Sequence, residues 1–339
     1  MHCFVSWLLI SAADSSVGAV TALALSHDHT FVASGHASGY IQLFDLSSPQ
    51  TPARSVPPTS LTAVRSGRKE GHLQGSRIVS IGFVAGRHTA VVSADEHGLA
   101  FYHSLGKVLF VEAPDILRIL GKYPQREPKP PLQTSAKAES LQPTPGGETH
   151  PTQNGFAPGS TIRKRKTQYT ILGMMPLPLG TSPHPTDVYN IVALLTPAKL
   201  VIVGLKPTPR TWFKCPREYD EGHDFQYRSR WTGTLSWFPS ISPGSMEKTP
   251  DKRQLNGKDL LAGTTPMLIY TWGNKLYLIR VSESKVLQAI RNPRTGKVKE
   301  IEVGTIVFEE GRKWTAEEDV LSVQWLNVNV GSFSSGLSL

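Results

Sequence analysis

The residues with the widest chemical repertoire in this sequence are its eleven histidines. Six of them fall within two similar stretches near the start of the chain: His27, His29, His36, His88, His97 and His103. His27 and His29 flank a polar turn, and no set of carboxylates or cysteines accompanies them at the spacing of a metal site. A metal site is one interpretation, but the spacing favours solvated turn residues. We therefore expect no metal and no cofactor.

Sequence signatures of catalysis are also missing. The chain contains no G-x-S-x-G elbow and no H-E-x-x-H helix, and a phosphate loop ending at Lys297 would need glycine where Arg291 stands. The paired acids Glu309-Glu310 and Glu317-Glu318 lie in stretches that look exposed, where solvation explains them better than acid–base catalysis. The sequence predicts a binding protein and no catalytic residues.

The strongest charged feature is a run of four cations: Arg163, Lys164, Arg165 and Lys166. Its simplest interpretation is the solvated end of a disordered insertion. Contact with an anionic membrane is a second interpretation, and a nuclear import signal or nucleic-acid contact is a third. The run lacks interleaved aromatic residues, which weakens the case for single-stranded nucleic acid.

Aromatic and basic residues concentrate between positions 210 and 238. The aromatic members are Trp212, Phe213, Phe225, Tyr227, Trp231, Trp237 and Phe238, and the basic ones are Arg210, Lys214, Arg217, Arg228 and Arg230. Core packing explains most aromatic residues. Binding surfaces are also rich in aromatics and arginine, so Trp212, Arg228, Arg230 and Trp231 are the candidates for a partner-binding edge.

Charge and composition divide the chain into strand-rich parts and insertions. The net charge of +9 resides in two stretches, 49–77 and 122–168, the second of which is rich in proline, glycine and serine. Such a segment cannot bury enough apolar surface to offset its ordering entropy. Residues 49–76, 122–168 and 241–260 are therefore predicted to be insertions within 17–326, with an N-terminal segment at 1–16 and a flexible tail at 327–339.

Short apolar strands recur between these insertions. "FVASGHASGYIQLFDL" (Phe31 to Leu46) and "VVSADEHGLAFYHSL" (Val91 to Leu105) each contain a strand, a polar turn with glycine, and a second strand. A preceding strand and, after Leu105, the run "KVLFVEA" complete a four-stranded unit. Two weaker copies follow, and "DVLSVQWL" (Asp319 to Leu326) looks like the first strand of a fifth. The pattern predicts an all-β propeller of WD-repeat type, with long disordered insertions.

About four such units and one strand fall short of the number in most closed propellers. We therefore expect an open arc, and a chain that is a fragment or truncated product. The first unit resembles a WD repeat, with Phe44-Asp45 where that family has Trp-Asp, and Tyr102-His103 is taken as the equivalent pair in the second.

The stretch "SADEHGLAFYHSLGKVLFVEAPDILRILGKYP" (Ser93 to Pro124) resembles the N-terminal propeller of fungal vacuolar protein sorting-associated protein 8, a membrane-tethering subunit of the CORVET complex. The resemblance implies a non-catalytic module on the cytoplasmic face of endosomes that engages a Rab GTPase and other tethering subunits. It also implies roles in endosome fusion and vacuolar protein sorting. A generic WD-repeat scaffold that acts in the nucleus is the alternative, and a propeller hydrolase is disfavoured. No nucleic-acid partner is expected.

Overall fold

The computed structural model describes residues 17–108, 111–112, 115–125, 170–218, 232–241, 265–291, 296 and 298–324. Within them, four antiparallel sheets of four strands follow one another along the chain. Each sheet takes its strands from one stretch of sequence, which is the arrangement of successive propeller blades. The all-β propeller predicted from the sequence is confirmed.

Blade 1 contains β1 (Val20–Leu25), β2 (Phe31–His36), β3 (Ile41–Asp45) and β4 (Arg54–Val56). Blade 2 contains β5 (Ile78–Phe83), β6 (Ala90–Asp95), β7 (Ala100–Ser104) and β10 (Asp115–Leu120), with a small hairpin of β8 (Lys107–Val108) and β9 (Val111–Glu112) between β7 and β10. Blade 3 contains β11 (Gly173–Pro176), β12 (Ile191–Leu195), β13 (Lys199–Gly204) and β14 (Arg210–Pro216). Blade 4 contains β15 (Leu235–Phe238), β16 (Met267–Trp272), β17 (Lys275–Arg291) and β18 (Val298–Thr315). Two short helices complete the structure, α1 (Leu61–Arg65) and α2 (Thr186–Tyr189).

The blades are arranged as an open arc. The first strand of each blade contacts the first strand of the next, so β1 meets β5, β5 meets β11 and β11 meets β15. These four strands line the inner side of the arc, and β4, β10, β14 and β18 form its outer edges. The open arrangement expected from the strand pattern is therefore present.

The hydrophobic core lies between neighbouring blades. Strand β12 illustrates this, because its residues 191, 193 and 195 belong to the cluster shared with blade 4, whereas 192 and 194 belong to the cluster shared with blade 2. Successive side chains of a strand point to opposite faces of its sheet. A middle strand covered on both faces is therefore apolar throughout, as the sequence "IVALL" is.

Glycines close the hairpins of the first two blades as predicted. Gly39 and Gly98 have φ angles of 91° and 83°, a region in which side chains are strained. A Cβ on Gly39 would also lie 2.7 Å from the carbonyl oxygen of Leu73. Both turns thus require glycine for their conformation, and the turn at Gly39 also requires it for space.

The fourth strands differ from the prediction. The run "KVLFVEA" does not complete blade 2, because its residues 107–108 and 111–112 form the separate β8–β9 hairpin, and β10 supplies the fourth strand. The fourth strand of blade 1, β4, lies within the segment 49–76, which was expected to be irregular and also contains α1. The apolar residues of "KVLFVEA" correctly indicate β structure, but they do not indicate which strand pairs with it. That choice depends on contacts between distant segments.

The expected first strand of a fifth blade is not formed by its described residues, 319–324. Instead, the Val320 side chain is buried and its amide donates a hydrogen bond to the carbonyl oxygen of Gly273, at 2.9 Å. This segment therefore packs against the β16–β17 turn. The predicted segments 1–16 and 327–339 lie outside the described residues, as do all but residues 122–125 of the predicted insertion 122–168 and all but residue 241 of the predicted insertion 241–260.

Blade 4 carries a projecting hairpin. Strand β16 pairs only with residues 275–280 of β17, whereas β17 and β18 continue to pair with each other as far as Arg291 and Val298. We refer to residues 284–291 and 298–305 as the hairpin arm. Apolar side chains on the arm are exposed, with Val286 at 50% and Leu287 at 64% of their full accessibility.

Candidate functional site

Four buried polar side chains form a hydrogen-bonded network in blade 2: His72, Ser93, Asp95 and His103. His72 Nδ1 lies 2.8 Å from Asp95 Oδ2, and His72 Nε2 lies 2.7 Å from Ser93 Oγ. The same Ser93 oxygen lies 2.7 Å from His103 Nε2. One proton assignment satisfies all three contacts: His72 Nδ1 donates to Asp95, the Ser93 hydroxyl donates to His72 Nε2, and His103 Nε2 donates to Ser93.

This arrangement has the order of atoms found in a Ser-His-Asp catalytic triad. A nucleophilic serine must nevertheless meet its substrate, and Ser93, Asp95 and His103 are all 0% exposed. The other oxygen of Asp95 accepts hydrogen bonds from the backbone amides of His97 and Leu99, at 2.9 and 3.0 Å. The network therefore fixes the β6–β7 turn and joins it to the segment that leads into blade 2.

Blade 1 contains a shortened version of the network. Ser34 and His36 occupy the positions of Ser93 and Asp95, and the His36 ring bridges Ser34 Oγ and the carbonyl oxygen of Gly18. Strand register also pairs Phe44 with Val32 and His103 with Val91. His103 is thus the counterpart of Phe44, so the equivalent of Phe44-Asp45 in blade 2 is His103-Ser104 and not the Tyr102-His103 pair taken from the sequence.

The buried position of His103 predicts acid sensitivity. Burial, with the nearby His72 as a second cause, lowers the pKa of His103 from 6.5 to about 3. The folded state therefore keeps this ring neutral, whereas the unfolded chain protonates it below pH 6.5. We expect its contribution to stability to be complete above that pH and to be lost progressively as the pH falls towards 3.

The variant His103→Phe tests this expectation. It loses the hydrogen bond to Ser93, so it should be less stable than the parent at neutral pH by about 1 kcal/mol. Its unfolding free energy should fall less steeply on acidification, and the two chains should converge in urea titrations repeated between neutral and acidic pH. Parallel pH profiles for the two chains would contradict the assignment.

Two of the remaining histidines lie in a turn, as the sequence predicts. His27 and His29 are exposed in the turn between β1 and β2. Across the described ranges, no group of three or more His, Cys, Asp or Glu residues is arranged to hold a metal ion. No helix in the same ranges is long and apolar enough to cross a membrane.

A groove opens between the outer side of blade 3 and the hairpin arm. Its volume is about 470 Å³, and one wall comes from the end of α2, the β13–β14 connection and the start of β14. The other wall comes from the arm. The lining residues are Tyr189, Lys206, Pro207, Thr208, Arg210, Trp212, Val286, Leu287, Gly304 and Thr305. None of them is acidic.

Trp212 is the largest side chain that lines this groove. The Arg210 guanidinium lies 3.6 Å from the centre of its ring system, and the Tyr189 ring packs against it with centroids 4.8 Å apart. A Cβ on Gly204 would lie 2.4 Å from the Trp212 Nε1 atom, so glycine in β13 leaves the space that the indole occupies. This Nε1 atom is buried and has no hydrogen-bond partner.

The predicted partner-binding edge is described only in part. Trp212 lies in β14, half-buried, whereas Arg228, Arg230 and Trp231 lie outside the described residues, as do Arg163, Lys164, Arg165 and Lys166. Phe213, Trp237 and Phe238 belong to hydrophobic clusters, in agreement with the core interpretation of these aromatics. Sequence patterns do not indicate Lys206 or the arm residues as members of this groove, because segments far apart in the chain form it only after blades 3 and 4 have packed.

Comparison with known proteins gives a family. The sequence model described as Vps8 beta-propeller matches residues 5–330. A search of curated proteins found no match.

A search of solved structures found similar chains, including the following three. The first is the Cps50 (Swd1) β-propeller domain from Myceliophteria thermophila, with 9% identity, a TM-score of 0.38, and coverage of 83% of this chain and 57% of that one. The second is Sqt1 from Chaetomium thermophilum, with 13% identity, a TM-score of 0.38, and coverage of 78% of this chain and 44% of that one. The third is U3-55K, with 8% identity, a TM-score of 0.36, and coverage of 76% of this chain and 48% of that one. The chain thus spans about half the length of these structures.

The family match covers nearly the whole chain, and it coincides with four consecutive four-stranded blades. It supports a protein-interaction module of the tethering-complex type, from a family linked to vacuolar sorting and endosomes, whose propellers are typically non-catalytic. This chain belongs to the Vps8 β-propeller family.

Proposed function

We propose that this chain is a non-catalytic protein-binding module of an endosomal membrane-tethering complex of the CORVET type. It engages a Rab GTPase of early endosomes together with other tethering subunits, and it supports vesicle and endosome fusion and vacuolar protein sorting. Its place is the cytoplasm, peripherally on the endosomal membrane. The observation that carries the proposal is the family match over residues 5–330.

Two features of the molecule fit a binding role. The outer side of the arc presents aromatic, arginine and exposed aliphatic side chains, a combination that is enriched where proteins bind each other. The Ser-His-Asp arrangement of blade 2 is buried, and its hydrogen bonds serve the fold.

The basic run at positions 163–166 has a supporting role in this proposal. Each Lys or Arg near an anionic leaflet contributes about 1 kcal/mol, so the four together supply roughly 4 kcal/mol. That corresponds to a dissociation constant near 1 mM, which is about the strength of a weak, transient contact. Combined with a Rab contact on the same membrane, such charges act through effective concentration and strengthen the attachment.

Sedimentation with liposomes tests both parts of the proposal. The full chain should be recovered best on anionic liposomes bearing an early-endosomal Rab in its GTP form, because Rab effectors read switch loops that the γ-phosphate orders. Replacing Arg163, Lys164, Arg165 and Lys166 with Gln should reduce this recovery most strongly at low salt.

A Rab loaded with GDP is the control for nucleotide dependence, and uncharged liposomes are the control for charge. Binding of the Gln variant to Rab in solution should equal that of the parent chain. Equal recovery with the GTP and GDP forms would reject Rab recognition, and equal recovery of parent and variant at low salt would reject the membrane contact.

A further inference from the structure

The groove between blade 3 and the hairpin arm carries two cations that have no acidic partner among the described residues. Lys206 and Arg210 both line it, and neither forms an ion pair with an acid in the described part of the chain. Two acids near the groove are engaged elsewhere. Glu302 pairs with Lys285 at 3.4 Å, and Asp187 accepts a hydrogen bond from the backbone amide of His184 at 3.0 Å.

The same groove has an apolar wall that is exposed to solvent. Val286 and Leu287 of the arm line the groove opposite Arg210, Trp212 and Tyr189 of blade 3. The stacked guanidinium is held in place by the indole, so it loses little side-chain freedom when it binds an anion. A partner therefore meets the positioned charge of Arg210 and the charge of Lys206 next to an apolar surface.

We propose that this groove binds a short acidic peptide segment of a partner protein, in which carboxylates alternate with apolar side chains. Carboxylates pair with Arg210 and Lys206, and an apolar side chain packs against the arm at Val286 and Leu287. Charge complementarity selects an acidic occupant, and a volume of about 470 Å³ suits a few side chains. The inference goes beyond Rab recognition and does not depend on it.

Other anionic partners fit the groove less well. Single-stranded nucleic acid binds by stacking bases on free aromatic faces, but Arg210 already covers the Trp212 ring at 3.6 Å. A membrane surface is broad, whereas these two cations lie within a concave groove beside the projecting arm. A peptide can enter such a groove and satisfy charges and apolar contacts together.

Fluorescence polarisation with the full chain tests the proposal. The probe is a short fluorescein-labelled peptide in which Glu and Leu alternate. We expect it to bind, and we expect the double variant Lys206→Glu with Arg210→Glu to bind at least about tenfold more weakly, because the charge pairs become repulsive. Leu287→Ser should also weaken binding, without affecting the fold, since this side chain is 64% exposed.

The matched control is the double variant Arg87→Glu with Lys122→Glu, which makes the same change in net charge at two exposed cations of blade 2. It should bind the probe like the parent chain. Peptides with Lys in place of Glu, or Ser in place of Leu, should bind weakly or not at all.

Three outcomes would overturn the proposal: no binding of the Glu-Leu peptide by the parent chain, equal binding by the two double variants, or equal binding of the Lys peptide. Polyuridylate and phosphatidylserine vesicles are included as competitors. If either displaces the probe through Lys206 and Arg210 and itself binds more tightly, the groove serves that ligand class and the peptide assignment fails.

Discussion

Replacing Asp95 with Ala should destabilise the chain by about 3–5 kcal/mol, because the change breaks a buried polar network at its most connected member. The Asp95 carboxylate accepts from the His72 ring at 2.8 Å and from two backbone amides of the β6–β7 turn. Alanine leaves these donors buried without partners. Water cannot replace the carboxylate easily, since His72 is 2% exposed and Asp95 is 0% exposed.

The variant Asp95→Asn is the matched control. Its side-chain oxygen can still accept from the amides of His97 and Leu99, so it should lose about 1–2 kcal/mol, from the contact with His72 alone. Urea-induced unfolding measures both changes, and hydrogen exchange at the β6–β7 turn should increase strongly for Ala and weakly for Asn. If both variants unfold at the same urea concentration as the parent chain, the network does not stabilise the blade.

Replacing Trp272 with Ala should cost a similar amount, about 3–5 kcal/mol, through the packing of blades 3 and 4. Trp272 is 2% exposed and lies edge-on to Tyr270 and Tyr277, with ring centroids 5.2 and 5.6 Å apart. Its Nε1 donates a 2.9 Å hydrogen bond to the carbonyl oxygen of Thr196, in the β12–β13 turn. Alanine removes both the apolar volume and this link between blades.

Trp272→Phe separates the two contributions. Phenylalanine keeps most of the ring contacts but cannot donate to Thr196, so we expect an intermediate loss of about 1–3 kcal/mol. Thermal unfolding ranks the three chains, and proteolysis should cut the Ala variant first near the junction of blades 3 and 4. A melting temperature for Trp272→Ala close to that of the parent would show that this junction contributes little.

The sequence by itself determined the strand repeats and their turns. Alternating or continuous apolar runs, closed by Gly39 and Gly98, identify β2–β3 and β6–β7 as hairpins because the information lies within about fifteen residues. The resemblance that begins at Ser93 likewise led to the family now matched over residues 5–330. The core positions of Trp237 and Phe238 followed from the same patterns.

Only the tertiary structure decided which segments meet across the blades. His72 looks like a loop residue in the sequence, yet it connects Ser93 and Asp95 from a position over twenty residues away. The fourth strands β4 and β10, and the groove between Trp212 and Leu287, also depend on pairing and packing between distant segments. Local propensity does not encode such contacts, because their free energy arises only when two surfaces are buried against each other.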